Sequence, residues 1–288
     1  MKYQLLKQNK KYSWYLIALA PKKLINQYLE IARQTNLDLV AIDIEPLCLA
    51  RVLLIAKLKF HQAVTVLDMG DDTTEIHIFN ERGLVWSSSI KIGGNIFDQS
   101  ISQKLNIPTN QATILREQDG FIANKKEGQI ISILQASCQP LIAHIKSVLE
   151  YYQTTHQTQI QEIILAGGAG LTPGMDSYFK DNLNIKISPA NPLNKFIFKK
   201  WPTKWRPVLF STSIGLCDWR PRPNPKNFNG FNFLDHSPQR FLWSKLLKKI
   251  LLTFTIISII AILGYLLLKN PTSFIIKNTS ALWKIWFD

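Results

Sequence analysis

Residues 64–79, VTVLDMGDDTTEIHIF, decide the fold of this chain. Mostly apolar residues lead up to Asp68, as in a buried strand, and a second strand pattern follows the turn. In the turn, Gly70 lets the backbone approach a ligand closely, and the hydroxyls of Thr73 and Thr74 can donate to phosphate oxygens. Asp68 can hold Mg²⁺ through water. The stretch therefore predicts a hairpin that grips phosphate.

A second glycine turn lies roughly 100 residues further on, in ILAGGAGLTPG at residues 164–174. Here an apolar strand runs into Gly167, Gly168 and Ala169 at the entrance of a helix. Glycines at this place would allow a flat ligand such as a nucleoside to pack on the backbone. One glycine turn is weak evidence, because ordinary hairpins also contain them. The two turns in this order are much more specific.

Strand and helix patterns alternate before and after these turns, which predicts α/β architecture. Before the first turn, the pattern predicts strands over residues 13–20 and 39–44 and helices over residues 22–35 and 47–58. After it, we expect a strand over 84–92, helices over 108–116, 127–153 and 173–183, and a short strand over 185–187. We also expect a helix directly after Gly93-Gly94, and an interruption or kink of the long helix near Pro140.

The net charge of +14 comes from 34 Lys and Arg against 20 Asp and Glu. Residues 1–189 hold 19 basic and 17 acidic side chains, whereas residues 190–288 hold 15 basic and 3 acidic ones. Nucleic-acid binding proteins more often carry their basic stripe on the folded core, so this distribution favours a membrane surface over nucleic acid. Tryptophans between basic residues over 200–220 would suit either stacking on nucleic acid or a membrane interface, and we favour the interface.

Residues 250–268, ILLTFTIISIIAILGYLLL, contain no charged side chain. As a helix this run would be roughly 28 Å long, close to the thickness of a bilayer's hydrocarbon core. We therefore expect one transmembrane helix, after a basic linker over residues 218–249 and before a short periplasmic tail over 269–288. Basic residues ahead of the run, and three scattered cysteines without a disulfide or metal spacing, favour a cytoplasmic location for the preceding chain.

Four stretches resemble the type IV pilus assembly protein PilM family, which has the actin-like ATPase fold shared by actin and the division protein FtsA. They are LIALAPKKLINQYLEIARQTNLDLVAIDIEPLCLARVLL, VTVLDMGDDTTEIHIF, IKIGGNIFDQSISQKLNI and IQEIILAGGAGLTPGMDSYFKDNLNIKISPANPL. The resemblance covers roughly residues 14–217. It implies a partial actin-like (ribonuclease H-like) fold, with a remnant of the first lobe over residues 1–62 and the second lobe over residues 63–217.

The resemblance also implies a nucleotide site, with ATP and Mg²⁺ as expected cofactors. The second phosphate loop would consist of Asp68, Gly70, Thr73 and Thr74, the following Gly-Gly of Gly93 and Gly94, and the adenosine-side loop of Gly167, Gly168 and Ala169. The family's first phosphate loop, of the Gly-x-Asp-x-Gly-Ser-Ser type, has no counterpart before Ser13, so we expect no hydrolysis and assign no catalytic residue. In the helix after Gly-Gly, Thr113 and Arg116 replace the family's acidic residue and lysine.

Members of the family hold the cytoplasmic tail of the single-pass protein PilN at the inner membrane. In this chain, residues 228–236 resemble the start of PilN itself, with Asn232, Phe233 and Leu234 at the core of the peptide. We therefore expect this segment to dock onto the body of its own chain. The expected function is a single-pass inner-membrane scaffold for pilus assembly, largely cytoplasmic, whose partners are PilN-like or other pilus or secretion proteins and the anionic membrane surface.

Two other functions stay open. A GspL-type anchor of type II secretion also joins an actin-like cytoplasmic domain to a transmembrane helix. A slow ATPase is the third reading, in which a separate chain supplies the first lobe. Asp43 and Glu45, two residues apart in a predicted strand, suggest either paired carboxylates for acid–base chemistry or a hinge near the nucleotide cleft, and we favour the hinge.

Overall fold

The computed structural model describes residues 1–54, 58, 62–122, 128–194, 196, 202, 204–219, 230–234 and 251–259. The chain divides into two compact units, Met1–Phe233 and Leu234–Asp288. In the second unit, residues 251–259 are helical, and the rest of the predicted span and the tail lie outside the described residues. Within the described part of the chain, no helix has both the length and the apolar character needed to cross a bilayer.

The first unit opens with an antiparallel hairpin of β1 (Lys2–Gln8) and β2 (Ser13–Ala18). Two helices follow it, α1 (Lys22–Gln34) and α2 (Glu45–Leu53). Pro46 lies at the start of α2, where its missing N–H has no helical partner to lose and its fixed φ suits the first turn. The α2 helix is buried along almost its whole length and forms one layer of the core.

A five-stranded sheet forms the centre of the first unit, in the order β5-β4-β3-β6-β7. The first three strands form an antiparallel meander, and the last two run parallel to β3. Their bounds are β3 (Gln62–Met69), β4 (Thr74–Asn80), β5 (Gly83–Ile90), β6 (Gln159–Ala166) and β7 (Lys186–Pro189). The central strands β3 and β6 are buried on both faces, which explains why their sequences read as nearly continuous apolar runs.

Helices cover both faces of this sheet. One face packs against α3 (Gly94–Leu105), α4 (Thr109–Gln118), α5 (Gly128–His156) and α6 (Met175–Leu183). The other face packs against α2, and α7 (Ser211–Cys217) lies on α2 after a short 3-10 turn over Pro207–Phe210. The predicted α/β architecture is confirmed, and the strands predicted on either side of the first turn, the strand predicted over 84–92 and the helix after Gly93-Gly94 are present.

Three details differ from the sequence-based expectations. Residues 39–44 form no strand, so that prediction is wrong; part of their backbone pairs with residues 232–233 instead. The long helix α5 runs unbroken through Pro140, so it is not interrupted there. Strand β1 was not predicted, because its lysines and glutamines break the apolar pattern that marks a buried strand.

Candidate functional site

The turn between β3 and β4 follows Asp68, the next-to-last residue of β3. It is closed by a hydrogen bond of 2.9 Å, which the Gly70 N–H donates to the Thr73 carbonyl oxygen. Thr74 is buried, and its hydroxyl donates to the Ile92 carbonyl oxygen over 2.7 Å. Thr74 therefore anchors the turn to the following loop.

Gly93 and Gly94 contact this turn through its backbone. The Gly94 N–H donates to the Gly70 carbonyl oxygen over 3.0 Å, and the Asn95 N–H donates to the Asp71 carbonyl oxygen over 2.8 Å. A Cβ at position 93 would lie 2.5 Å from both of these oxygens, so a side chain does not fit there. The first amides of α3 are thus hydrogen-bonded to the turn, and the lack of a side chain at Gly93 allows this close contact.

The second glycine turn meets the first because β3 and β6 are parallel neighbours, with Asp68 opposite Ala166. Gly167 has a φ of 79°, in the left-handed region that favours glycine. A Cβ at this position would lie 2.6 Å from Asp68 Oδ1 and would clash with the Met69 carbonyl oxygen. Glycine is therefore required here both by the backbone conformation and by the approach of Asp68.

A cavity of about 250 Å³ lies where the two turns meet. Of the nine residues predicted for nucleotide binding, those that line it are Asp68, Gly70, Thr73, Gly167 and Gly168. The others, which lie outside its lining, are Thr74, Gly93, Gly94 and Ala169. Glu45, which the sequence analysis assigned to a hinge near the nucleotide cleft, also lines the cavity. The lining residues that were not predicted are Glu75, Val208, Leu209, Ser211 and Thr212.

The start of α2, the 3-10 turn over Pro207–Phe210 and the start of α7 form one side of the cavity. Glu45, the first residue of α2, accepts a hydrogen bond of 2.8 Å from the Thr212 hydroxyl. The two helices approach closely at Gly215, where a Cβ would clash with the Cys48 carbonyl oxygen. A glycine inside the short helix STSIGLC was the available signal for this close approach, but the sequence does not say which element it meets.

Three carboxylates face the cavity, Glu45, Asp68 and Glu75, and its described lining contains no lysine or arginine. Burial raises the pKa of Asp68 to about 6; the charges of Glu45 and Glu75 add to the rise, and His77 opposes it. The His77 ring lies 3.1 Å from Glu75 and lowers the pKa of that carboxyl. These carboxylates would repel a bare phosphate, whereas a divalent cation would be attracted. Among the described residues, no three His, Cys, Asp or Glu side chains are grouped so that they could hold a metal ion. Mg²⁺ is commonly held by one or two carboxylates together with water and phosphate, and the lining fits only an arrangement of that kind.

Arg116 and Thr113 do not line the cavity. Arg116 is buried and donates to Asp98 Oδ1 over 2.6 Å and to the Thr172 hydroxyl over 3.1 Å. The Thr113 hydroxyl donates to the same carboxylate over 2.8 Å. This cluster joins α3, α4 and the second glycine turn. The guanidinium charge is thus paired inside the protein and is not offered to a ligand.

A second candidate site lies where residues 230–233 run beside residues 40–43. The Phe233 N–H donates to the Ile42 carbonyl oxygen over 3.0 Å. Asn232 bonds two backbone groups at 3.3 Å each: its Oδ1 accepts from the Ile42 N–H, and its Nδ2 donates to the Val40 carbonyl oxygen. Two of the three residues predicted for the partner peptide therefore lie in contact with the body, and Leu234 begins the second unit.

Apolar burial accompanies these hydrogen bonds. Phe231 and Phe233 are 6% and 9% exposed and belong to the apolar cluster formed by α2 and its face of the central sheet. Their rings lie 6.3 Å apart. The segment thus has the elements of β-strand addition, with main-chain hydrogen bonds along one edge and side chains in apolar surroundings.

A buried ion pair lies beneath the docked segment. Arg51 Nη1 is 2.7 Å from Asp43 Oδ2, and Arg51 Nε donates to the Gly215 carbonyl oxygen over 2.9 Å. Burial raises the pKa of Asp43, and the charge of Arg51 opposes this. Gly230 packs so closely on Asp43 that a side chain there would clash with the carboxylate. Asp43 thus contacts the docked segment while Glu45 lines the cavity, so the two carboxylates belong to different sites.

Known proteins resemble this chain in sequence. The family model for the type IV pilus assembly protein PilM matches residues 3–205. The cell shape-determining protein MreB of Haemophilus influenzae is 29% identical, over 46% of this chain and 48% of that protein. MreB of Pasteurella multocida is 26% identical, over 44% of this chain and 45% of that protein. The chain thus spans about half the length of the curated relatives that it matches.

Solved structures resemble the fold. A PilM–PilN type IV pilus biogenesis complex matches with a TM-score of 0.61 and 19% identity, over 75% of this chain and 64% of that one. An MreB of Spiroplasma citri bound to AMPPNP matches with a TM-score of 0.51 and 18% identity, over 69% and 64%. These likenesses show a mixed α/β, actin-like ATPase fold. The family model matches well over half of this chain, which therefore belongs to the type IV pilus assembly protein PilM family.

Proposed function

We propose that this chain is a scaffold of type IV pilus assembly whose body holds a short extended peptide along residues 40–43. The contact of residues 230–233 with this edge supports the proposal, because Asn232 satisfies two backbone groups there. A relative of known structure is a complex of PilM with PilN, so a PilN-like protein is the kind of partner we propose. In this chain, the docked peptide and the body that holds it belong to one polypeptide.

Covalent connection favours the internal peptide over any external one. Removing a phenylalanine side chain from water stabilises by about 1.5–3 kcal/mol, so Phe231 and Phe233 give the docking a substantial apolar contribution. Residues 218–229 connect α7 to the segment, and a connection of roughly ten residues gives an effective concentration on the order of millimolar. An external peptide would therefore bind only when the internal segment is released.

The test uses a synthetic peptide of residues 228–236, FNGFNFLDH, added to the full chain. We expect tight binding to the variant Asn232→Ala/Phe233→Ala, whose own segment is weakened, and weak or no binding to the unaltered chain. Fluorescence anisotropy of the labelled peptide measures both. Ile114→Ala removes an exposed side chain on α4 and should behave like the unaltered chain. Equal binding to all three proteins, or binding of a scrambled peptide, would refute internal docking.

We further propose that residues 250–268 anchor the chain in the inner membrane, with the body in the cytoplasm. In the described part of this stretch the side chains are exposed and most of them are apolar, including Leu251, Phe254 and Ile257. The excess positive charge of residues 190–288 would lie against anionic headgroups. The chain should therefore stay in the membrane fraction after alkaline carbonate extraction, and deletion of residues 250–268 should release it.

The cavity between the two glycine turns is our proposed nucleotide site. Asp68 would hold Mg²⁺ through water, Gly70 and Thr73 would contact phosphate, and the nucleoside would pack on Gly167 and Gly168. Its acidic lining supports binding of the Mg²⁺ form of ATP over the free anion. We propose that the nucleotide regulates partner binding and is not turned over.

A further inference from the structure

The hairpin β1–β2 exposes an apolar face. Tyr3 pairs with Ile17 and Leu5 with Tyr15, so the four side chains lie on the same side of the hairpin. All four are exposed, from 45% for Leu5 to 67% for Tyr3. The other side of β2 faces inward, and its Ala18 is buried in the core. One side of the hairpin thus packs on the protein core at Ala18, and the other side is apolar and exposed.

The tip of the hairpin carries exposed aromatic and basic side chains next to this face; because side chains alternate along β2, Trp14 lies on the opposite side from Tyr15 and Ile17. The Asn9 side chain accepts hydrogen bonds from the Lys11 and Tyr12 N–H groups at 2.8 and 2.6 Å, which fixes the turn. Tyr12 and Trp14 are 64% and 44% exposed, and their rings lie 6.1 Å apart, edge to face. Lys10 and Lys11 beside them are also exposed. The tip is therefore a fixed turn that presents two aromatic rings next to two ammonium groups.

The charge of this region has one sign. Residues 1–29 contain six lysines and no aspartate or glutamate, and Glu30 is the first acidic residue of the chain. The body as a whole is nearly neutral, with 19 basic and 17 acidic residues over 1–189. The lysines are thus concentrated on and near the element that carries the exposed aromatic face. A surface that complements it must be apolar at its centre and negatively charged around it.

We propose that the β1–β2 hairpin binds an anionic membrane surface. Tyrosine and tryptophan are favoured at the membrane–water interface, and lysine stems can lie along apolar surface while their ammonium groups reach lipid phosphates. The basic residues over 1–29 are all lysines, and protein interfaces are depleted in lysine and enriched in arginine, which favours a lipid surface over an acidic protein. The contact does not depend on residues 250–268. It would hold the actin-like body against the bilayer at a point far from those residues in the sequence.

The test measures how fast individual lysines of the full chain react with an acetylating reagent, with and without vesicles. We expect vesicles of phosphatidylcholine and phosphatidylglycerol (7:3) to slow the modification of Lys10 and Lys11 by about threefold or more, since each lysine near such a surface is held on the order of fivefold more strongly. Pure phosphatidylcholine should not slow it. Lys146 and Lys180, exposed on α5 and α6, serve as internal controls and should react equally throughout.

Variants then separate the hairpin from the rest of the chain. Tyr12→Ser/Trp14→Ser should abolish the slower reaction of Lys10 and Lys11. Lys10→Gln/Lys11→Gln should lower the excess binding to anionic over neutral vesicles by about 25-fold, whereas the charge-matched Lys146→Gln/Lys180→Gln should not. Binding to neutral vesicles without hairpin protection would support the membrane anchor alone and overturn the hairpin proposal.

Three other results would also overturn it. Unchanged reactivity of Lys10 and Lys11 on anionic vesicles would remove the contact altogether. Equal protection by soluble poly-glutamate would reassign the face to an acidic protein. Protection without lipid that increases with protein concentration would reassign it to a second copy of the chain.

Discussion

Asp68 has a buried carboxylate at the point where the two glycine turns meet. Glu45 and Glu75, which line the same cavity, are also acidic. Gly167 lies so close that a Cβ on it would be 2.6 Å from Asp68 Oδ1. Burial and the like charges of Glu45 and Glu75 disfavour the ionised form of Asp68, and His77 offsets this only in part. The charged carboxylate therefore opposes folding near neutral pH.

Replacing Asp68 by asparagine should stabilise the protein above pH 7. The pKa of Asp68 is raised to about 6 in the folded state, so its ionised form opposes folding as the pH rises through 6. Asp68→Asn should raise the free energy of unfolding by about 2 kcal/mol at pH 7.5, and the gain should disappear near pH 4. Urea unfolding at several pH values measures this. Asp181→Asn, exposed on α6, is the control, and a gain that does not depend on pH would contradict the argument.

Replacing Gly167 by alanine should destabilise the protein by about 2–4 kcal/mol. The positive φ and the contacts of the new Cβ with Met69 and Asp68 both act against the folded state. Gly128→Ala is the matched control, because a Cβ at the first residue of α5 meets nothing within 4 Å. Chemical denaturation of both variants measures the difference. Similar stability of the two variants would show that the second turn tolerates a side chain.

At the scale of elements, the sequence predicts what local patterns can encode. Apolar runs and glycine turns predict β3, β4, β6 and the helix after Gly93-Gly94, because each pattern is complete within its own stretch. Residues 39–44 look like a strand for the same reason, yet their partners lie about 190 residues away, at Asn232 and Phe233. The contribution of α2 and α7 to the cavity is likewise hidden, since Glu45 and Thr212 meet only through the fold.

The buried ion pair of Asp43 and Arg51 connects α2 to α7 and to the docked segment, and we expect it to contribute strongly to stability. Arg51→Met leaves the buried Asp43 carboxylate without its cation, so we expect a loss of about 3–5 kcal/mol in the free energy of unfolding. Asp43→Asn/Arg51→Met should recover part of this loss. Arg33→Met, which removes a surface pair with Glu30, should leave stability unchanged within error. Equal effects of the two arginine changes would argue against this contribution.

At the scale of the whole molecule, the cavity is lined by residues from widely separated parts of the sequence. The central sheet supplies the two glycine turns, and α2 with α7 supplies the opposite wall. Both sets of elements belong to the same compact unit, Met1–Phe233. The described lining of the cavity thus lies wholly within this unit.

Thermal unfolding with nucleotide tests the proposed site in the full chain. Because three carboxylates and no described basic side chain line the cavity, ATP with EDTA should not raise the melting temperature. Mg-ATP at 100 times its dissociation constant should stabilise the protein by about 2.7 kcal/mol. Asp68→Asn should remove most of this stabilisation. A shift with ATP alone, or no shift with Mg-ATP, would exclude the proposed arrangement.

Asp43 and Glu45 lie two residues apart at the entry to α2, and this proximity has a thermodynamic consequence. One contacts the docked peptide and the other faces the cavity, so a ligand that displaces the start of α2 changes the surroundings of both. Coupling of this kind is reciprocal in free energy: if cavity occupancy loosens the peptide tenfold, peptide binding must loosen the cavity ligand tenfold as well. The affinity of a partner that competes for residues 40–43 would then depend on whether the cavity is occupied, and the affinity of the cavity ligand would depend equally on whether the partner is bound.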